Sequence, residues 1–356
     1  MADGLAKARE LLSRVFGFDA FRPGQDSIIS AVLAGQDVLA IMPTGSGKSL
    51  CYQLPALLKP GLTVVVSPLI ALMRDQVAQL RALGVEAGSL NSTNDGDENR
   101  RVFDAMRAGR LKLLYAAPER LARADSIDML RAVGVSALAI DEAHCVSQWG
   151  HDFRPEYLMM GQVRDALDGV QTVAFTATAD TATRADIAER LFPQPPRIFI
   201  GGFDRPNLRL AMRAKTGSRR QLLDFVAAHR GESGIVYCSS RARTEDIAAL
   251  LVDNGIDARP YHAGLDKTVR EANQDAFLKE DSMVMVATVA FGMGIDKPDV
   301  RFVCHADLPK TIEAYYQEIG RAGRDGLAAD TLTLYGMDDI RLRRSQIEDS
   351  QASDEQ

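Results

Sequence analysis

The sequence has no apolar run approaching the ~20 residues that a membrane span needs. Its apolar segments, such as Val64-Val65-Val66 and Val284-Met285-Val286, are short. The first residues carry no basic stretch running into an apolar one, so no secretory signal is expected and a soluble, cytoplasmic protein is. Only four cysteines occur, Cys51, Cys145, Cys238 and Cys304, and no two form a C-x-x-C pair. Scattered in this way, they suit small buried hydrophobes in a reducing compartment, and neither disulfides nor a zinc site is expected. Positive charge is not in excess either. Lys+Arg 42 against Asp+Glu 48 leaves a net charge of −6. Any contact with nucleic acid therefore rests on local basic patches, and a metal-nucleotide site would account for part of the acid excess. Short-period repeats and low-complexity tracts are lacking as well.

What is present is 356 residues, 46% apolar and 25% charged, an ordinary globular balance with a prior of roughly two domains. Short apolar runs of strand length recur, each followed by a helix-like stretch, which is the pattern of parallel sheets covered by helices. In the first half they lie at 37–41, 62–67, 111–116, 137–140 and 172–175. In the second half they lie at 234–237, 283–287, 300–304 and 331–335. The two halves read as two copies of one architecture. Between them, Pro193, Pro195 and Pro196 can neither feed a ladder nor continue a helix. A hinge is expected near 193–207, with domains at 1–200 and 201–340. Residues 341–356 are nearly all polar and read as frayed helix or disordered tail.

Met42-Pro43-Thr44-Gly45-Ser46-Gly47-Lys48-Ser49 stands between an expected strand and an expected helix. Glycines allow positive φ and close approach, so successive N–H groups can face a phosphate at a helix start. Lys48 would reach the β- and γ-phosphates of a nucleotide, and Ser49 would ligate Mg²⁺. The strict pattern has glycine six residues before the lysine, where Met42 stands. Downstream, Ala137-Leu138-Ala139-Ile140 runs into Asp141-Glu142-Ala143-His144. A buried strand ending in adjacent carboxylates is costly unless they hold a cation or do chemistry. Asp141 would bind Mg²⁺ and Glu142 would orient and deprotonate the attacking water. Together the two elements point to nucleoside triphosphate hydrolysis.

Three further groups bear on that chemistry. Gln25 presents a donor and an acceptor that complement adenine, with Phe18 to stack on the base and Arg22 to brace it. The same residues also suit a helix-packing aromatic cluster, and spacing alone does not choose. Thr176 and Thr178 end an expected strand with two hydroxyls, whose local alternative is capping the next helix. Gln317, Arg321 and Arg324 are spaced to share one face of a helix. Two arginines and a glutamine suit a triphosphate whose charge grows in the transition state, where an arginine finger is worth roughly 10³–10⁵ in rate. Gly320 and Gly323 argue against a merely solvated basic face and for close backbone approach. Catalytic pieces thus occur in both halves, so a nucleotide in a cleft between two domains is expected.

These segments resemble, in order, the motifs of the RecQ DNA helicases of superfamily 2. Residues 16–25 resemble motif 0, 42–49 motif I, 67–77 motif Ia and 141–144 the DEAH form of motif II. Residues 175–179 resemble motif III, 235–241 motif IV, 287–297 motif V and 317–324 motif VI. Residues 145–155 are similar to the family's aromatic-rich loop and include Trp149, the one tryptophan. The resemblance implies two tandem RecA-like α/β domains, each a mainly parallel sheet flanked by helices. It implies an ATP- and Mg²⁺-dependent enzyme moving 3′ to 5′ on single-stranded DNA and separating partly duplex DNA, with a family role in recombination and repair. Thr44, Gly45, Ser46, Gly47 and Asp296 would join the nucleotide contacts. Trp149 and Phe153 would stack on bases, a contact worth roughly 1–3 kcal/mol each. Arg154, Arg74, Ser239 and Thr288 would also meet the strand. The family usually continues into a zinc module and a winged helix, for which this sequence has no residues, so strong unwinding is not expected. A monomer is expected. An RNA helicase, a DNA clamp without translocation and a small-molecule kinase are the competing readings.

Overall fold

The computed structural model describes residues 2–91, 94–148, 153–202, 204–292, 297–341 and 343–345. The chain divides into two compact units, Met1–Phe203 and Asp204–Gln356. In the first, β1 (Val38–Ile41), β2 (Leu62–Val66), β3 (Ala87–Leu90), β4 (Leu113–Ala116), β5 (Val135–Ile140), β6 (Thr172–Thr176) and β7 (Arg197–Ile200) form one sheet. Its order is β3-β4-β2-β5-β6-β1-β7, and every pairing is parallel. The second unit holds β8 (Leu208–Ala214), β9 (Ser233–Tyr237), β10 (Ala258–Tyr261), β11 (Val284–Ala287), β12 (Val300–His305) and β13 (Ala329–Tyr335). They run in the order β10-β11-β9-β12-β13-β8, again all parallel.

Helices cover both faces of each sheet, which is why the central strands read as unbroken apolar runs. Successive side chains alternate between the two sides. Leu39, Ile41, Val64, Val66, Leu138 and Ile140 enter one core, while Val38, Ala40, Val65, Ala139, Val173 and Phe175 enter the other. The second unit repeats the division, with Val236, Val286, Phe302 and Leu332 on one side and Ile235, Met285, Ala287 and Val303 on the other. All four cysteines are buried and free. Among the described residues, no helix is long and apolar enough to cross a membrane.

The nine expected strands are all present. Part of the expected hinge is not a hinge: Arg197–Ile200 is β7, paired along its whole length with β1. The three prolines precede this strand, and the division between units falls after Phe203. Residues 346–356 of the polar tail lie outside the described residues.

Candidate active site

The glycine loop leaves the carboxyl end of β1, where the Met42 N–H donates to Thr176 O at 2.9 Å and ties it to the end of β6. Gly45 and Gly47 have φ of 80° and 79°, values that admit glycine cheaply and other residues at a cost. A Cβ at Gly47 would lie 2.5 Å from Gln25 Nε2. The loop ends at Ser49, and the Leu50–Leu58 helix begins at once. Its carbonyls are held from the Arg22–Gln25 segment. Gln25 Nε2 donates to Ser46 O (3.1 Å) and Gly47 O (2.9 Å), Gln25 Oε1 accepts from the Arg22 N–H (2.8 Å), and the Arg22 guanidinium donates to Gly45 O. Gln25 is 1% exposed and Phe18 49% exposed. The amide expected to face adenine thus has both hydrogens on the loop, while the Phe18 ring is open for stacking.

Asp141 follows β5 directly. Its Oδ1 accepts the Glu142 N–H at 3.0 Å. Burial and the neighbouring Glu142 charge push the Asp141 carboxyl up to about 7, against the pull of Lys48. Burial makes this carboxylate costly to ionise by itself, and a bound cation would offset that cost. Glu142 adopts a left-handed backbone, φ 49° and ψ 47°, which costs a non-glycine residue about 1–2 kcal/mol. Its Oε2 stands 3.4 Å from His144 Nδ1, and that nitrogen lies 2.9 Å from Thr176 Oγ1. The Thr176 hydroxyl donates to Thr178 O at 3.0 Å, so the His144 Nδ1 carries the hydrogen. Beneath them, the Tyr157 hydroxyl donates to Asp141 O at 3.1 Å. Neither threonine caps the next helix; Asp180 does, accepting the Thr183 N–H at 2.7 Å. The partner that Thr176 takes across 32 residues of sequence carries no local pattern and was not legible.

The strand order β5-β6-β1 puts these pieces side by side. With strands about 5 Å apart, the carboxylates and the glycine loop end roughly 10 Å from each other, with Thr176 between them. They lie at the carboxyl edge of a parallel sheet, where such folds bind ligands. Ser49 and Asp141 offer an alkoxyl and a carboxylate oxygen, donors suited to Mg²⁺ carried by a triphosphate.

In the second unit, Gln317 lies on the Ile312–Ile319 helix, which Thr311 caps by accepting the Ala314 N–H at 3.1 Å. The expected shared helical face does not form: the helix ends at Ile319, and Arg321 and Arg324 stand in the turns that follow. Gly323 has φ 57°, and a Cβ there would lie 2.5 Å from Asn207 Nδ2 and 2.7 Å from Leu327 O. Close approach at this glycine was expected, and it is found. Arg205 donates to the Ala322 and Gly323 carbonyls at 2.8 and 3.0 Å. Arg321 is 6% exposed and packs its guanidinium against Gly292 and the Tyr237 hydroxyl.

The residues expected to meet a strand are variously placed. Arg74 is half exposed, with Asp75 at 3.6 Å. Arg154 donates to Pro68 O at 3.0 Å, tying the segment after the carboxylates to the one after β2. Phe153 is half-buried. Ser239 gives both its N–H (3.0 Å) and its hydroxyl (2.8 Å) to Asp307 Oδ2. The Thr288 hydroxyl accepts the Ala290 N–H at 3.4 Å. Trp149 and Asp296 lie outside the described residues.

A DEAD/DEAH box helicase model matches residues 22–187 and a helicase conserved C-terminal domain model matches 217–326. The ATP-dependent DNA helicase RecQ of Pasteurella multocida is 51% identical over 328 residues, 92% of this chain and 52% of that protein. The protein of the same name from Bacillus subtilis is 44% identical over 354 residues, 99% of this chain and 60% of that one. The chain thus spans about half the length of the curated relatives it matches. The structure of Mss116p bound to ssRNA and AMP-PNP has a TM-score of 0.75 at 19% identity, covering 98% of this chain and 75% of that one. The Mycobacterium smegmatis helicase Lhr bound to ssDNA and AMP-PNP has a TM-score of 0.72 at 23% identity, covering 93% and 47%. At these identities the two structures establish the fold, a pair of RecA-like units.

Proposed function

Because the chain belongs to the RecQ family and carries that family's helicase core, we propose that it hydrolyses ATP to move 3′ to 5′ along single-stranded DNA. The observation that supports this most is the buried Asp141 with the partly exposed Glu142 beside it at the end of β5, two strands from the Lys48–Ser49 loop. In this reading the loop amides and Lys48 hold the phosphates, Phe18 stacks on the base, and Ser49 and Asp141 hold Mg²⁺. Bound Mg²⁺ would neutralise charge on the β- and γ-oxygens. Glu142 accepts the proton of the attacking water, beside the His144 imidazole that Thr176 fixes 3.4 Å from its carboxylate. Gln317, Arg321 and Arg324 are assigned to the charge that grows on the transferred phosphoryl group.

Phe153, Arg154, Arg74, Ser239 and Thr288 are assigned to the DNA strand together with Trp149, and Asp296 to the nucleotide. Contacts of this kind go mostly to phosphate, so affinity falls with salt and sequence preference is weak. A monomer acting on cellular DNA in recombination and repair is the corresponding role.

The deciding experiment is ATP hydrolysis with no nucleic acid, with single-stranded DNA and with RNA. Strong stimulation by DNA is expected; no stimulation overturns the reading, and stimulation by RNA alone makes the chain an RNA motor. Displacement of a strand from a 3′-tailed duplex separates a motor from a nucleotide-gated clamp. Trp149→Ala should lower the stimulation ratio and leave the basal rate in place.

A further inference from the structure

Between β4 and the Leu50–Leu58 and Ile70–Ala82 helices lies a buried polar cluster that the proposed chemistry does not use. Gln53, on the helix after the glycine loop, is 5% exposed, Gln76 is 8% exposed and Tyr115 1% exposed. Gln53 Nε2 spends both hydrogens here, on Gln76 Oε1 at 2.9 Å and on the Tyr115 hydroxyl at 3.0 Å. The Gln53 N–H in turn donates to Ser49 O at 2.9 Å. The result is a hydrogen-bonded set, Tyr115–Gln53–Gln76, one helical turn from Ser49 and set in an otherwise apolar core.

Stability alone gives little reason for it. Replacing satisfied buried polar partners by apolar groups of similar shape is often close to neutral. What hydrogen bonds add is fixed geometry, and here they fix three segments that leave the carboxyl edge of the sheet. One is the glycine loop after β1. Another is Ser67-Pro68-Leu69 after β2, which leads into the helix bearing Arg74 and receives the Arg154 guanidinium at Pro68 O. The last is Ala117-Pro118-Glu119-Arg120 after β4.

We propose that Gln53, Gln76 and Tyr115 are positioning residues that hold the segments after β2 and β4 in register with Ser49, coupling the nucleotide loop to the strand-contacting surface. The coupling to a strand rests on the DNA-motor reading above. Site-to-site coupling is typically worth 5–150-fold, and a buried hydrogen-bonded cluster that spans the segments is a physical means of carrying it.

The test uses Gln53→Leu combined with Gln76→Leu, which removes both amides so that neither is stranded, and separately Tyr115→Phe. Steady-state ATPase is measured with and without single-stranded DNA, with the ATP KM in both conditions and the melting temperature. The expected result is a basal rate near wild type, a stimulation ratio at least about fivefold lower, and an ATP KM that no longer responds to DNA. A merely structural cluster scales basal and stimulated rates by one factor, and a preserved ratio in a folded variant overturns the proposal. If the double variant does not fold, Tyr115→Phe, which deletes a single hydroxyl, is judged on the same ratio. A wild-type chain that no strand stimulates removes the motor reading itself and this inference with it, whereas a stimulated wild type with an unchanged variant removes only the inference.

Discussion

His144 Nδ1 sits 2.9 Å from Thr176 Oγ1, joining the turn after β5 to the last residue of β6. The same nitrogen is 3.4 Å from the Glu142 carboxylate, so Thr176 sets the imidazole that packs beside Glu142. Thr176→Val keeps the shape and deletes the hydroxyl. Small misplacements of a reacting group cost up to about 10²-fold, and a fall in kcat on the order of tenfold or more is expected, with the ATP KM near wild type. Steady-state kinetics checks it; a raised KM with kcat retained would place Thr176 in binding instead.

Glu142 can be split into its chemistry and its backbone. Glu142→Gln keeps the left-handed φ of 49° and removes the base, so turnover should fall by at least about 10²-fold while ATP and strand binding persist. Glu142→Gly should lose turnover equally but melt higher, since glycine relieves about 1 kcal/mol or more of backbone cost. Calorimetry on the two variants separates the effects. Equal melting temperatures would show that the turn is not strained.

How much of this could be read in advance follows one physical line. Every strand found from sequence is buried on both faces or nearly so, and announces itself as an apolar run. The four missed strands, β3, β7, β8 and β10, are the edges of the two sheets. Three of these edges lack a long apolar run: Ala87-Gly88-Ser89-Leu90, Ala258-Arg259-Pro260-Tyr261 and β8, which Arg209 and Arg213 interrupt, whereas β7 keeps Ile198-Phe199-Ile200 directly after three prolines. The glycine loop and the carboxylates are contiguous in sequence and were legible. The Gln25 bonds to the loop, the Thr176–His144 contact and the Gln53–Tyr115 contact join residues 21, 22, 32 and 62 positions apart, and no local pattern encodes them. The arginine face failed because the helix ends at Ile319, before both arginines, and the chain then turns through Gly323 with a positive φ ahead of Arg324.

Asp141 gives a pH dependence with a definite sign. Burial, then Glu142, raises its carboxyl to about 7 in the folded chain, so between the ordinary carboxylate range and pH 7 the folded state binds a proton that the unfolded state has released. Stability from this group therefore falls as pH rises through that window, and the cost is complete above it. Asp141→Asn removes the charge. In the absence of nucleotide and divalent cation, the variant should melt above wild type at pH 8, and the gap should shrink as pH is lowered toward 4. Thermal melts across that range check it. A constant gap would mean that the effect is not one of protonation.

On the acid side Asp307 behaves in the opposite sense. Its desolvation is outweighed by the Ser239 N–H and hydroxyl and by Lys215, with Arg243 adding to them, which holds the carboxyl below the usual range. Its contribution is present above the ordinary carboxylate range and is lost as pH falls through the lowered value. Asp307→Asn should lower the melting temperature at pH 7 and lose that effect at strongly acid pH, because Ser239 and Lys215 then lack an anion in either chain.

Gly292 offers a way to move Arg321 without deleting it. A Cβ added there would lie 2.7 Å from Arg321 Nη2 and 3.2 Å from Cζ. The obstacle is the far end of a long side chain, so the guanidinium shifts and the backbone need not. Moving it leaves the Tyr237 hydroxyl with its own bond to Phe291 O at 2.9 Å. Gly292→Ala should therefore leave the melting temperature nearly unchanged and slow hydrolysis on the order of tenfold. Arg321→Lys should slow it as well, because an ammonium cannot reproduce the planar fork. If both changes act through the seat of this one guanidinium, Gly292→Ala added to Arg321→Ala should cost nothing further, since effects passing through a shared group do not add. Additive losses in that double variant would show that Gly292 serves the reaction by a route that does not pass through Arg321.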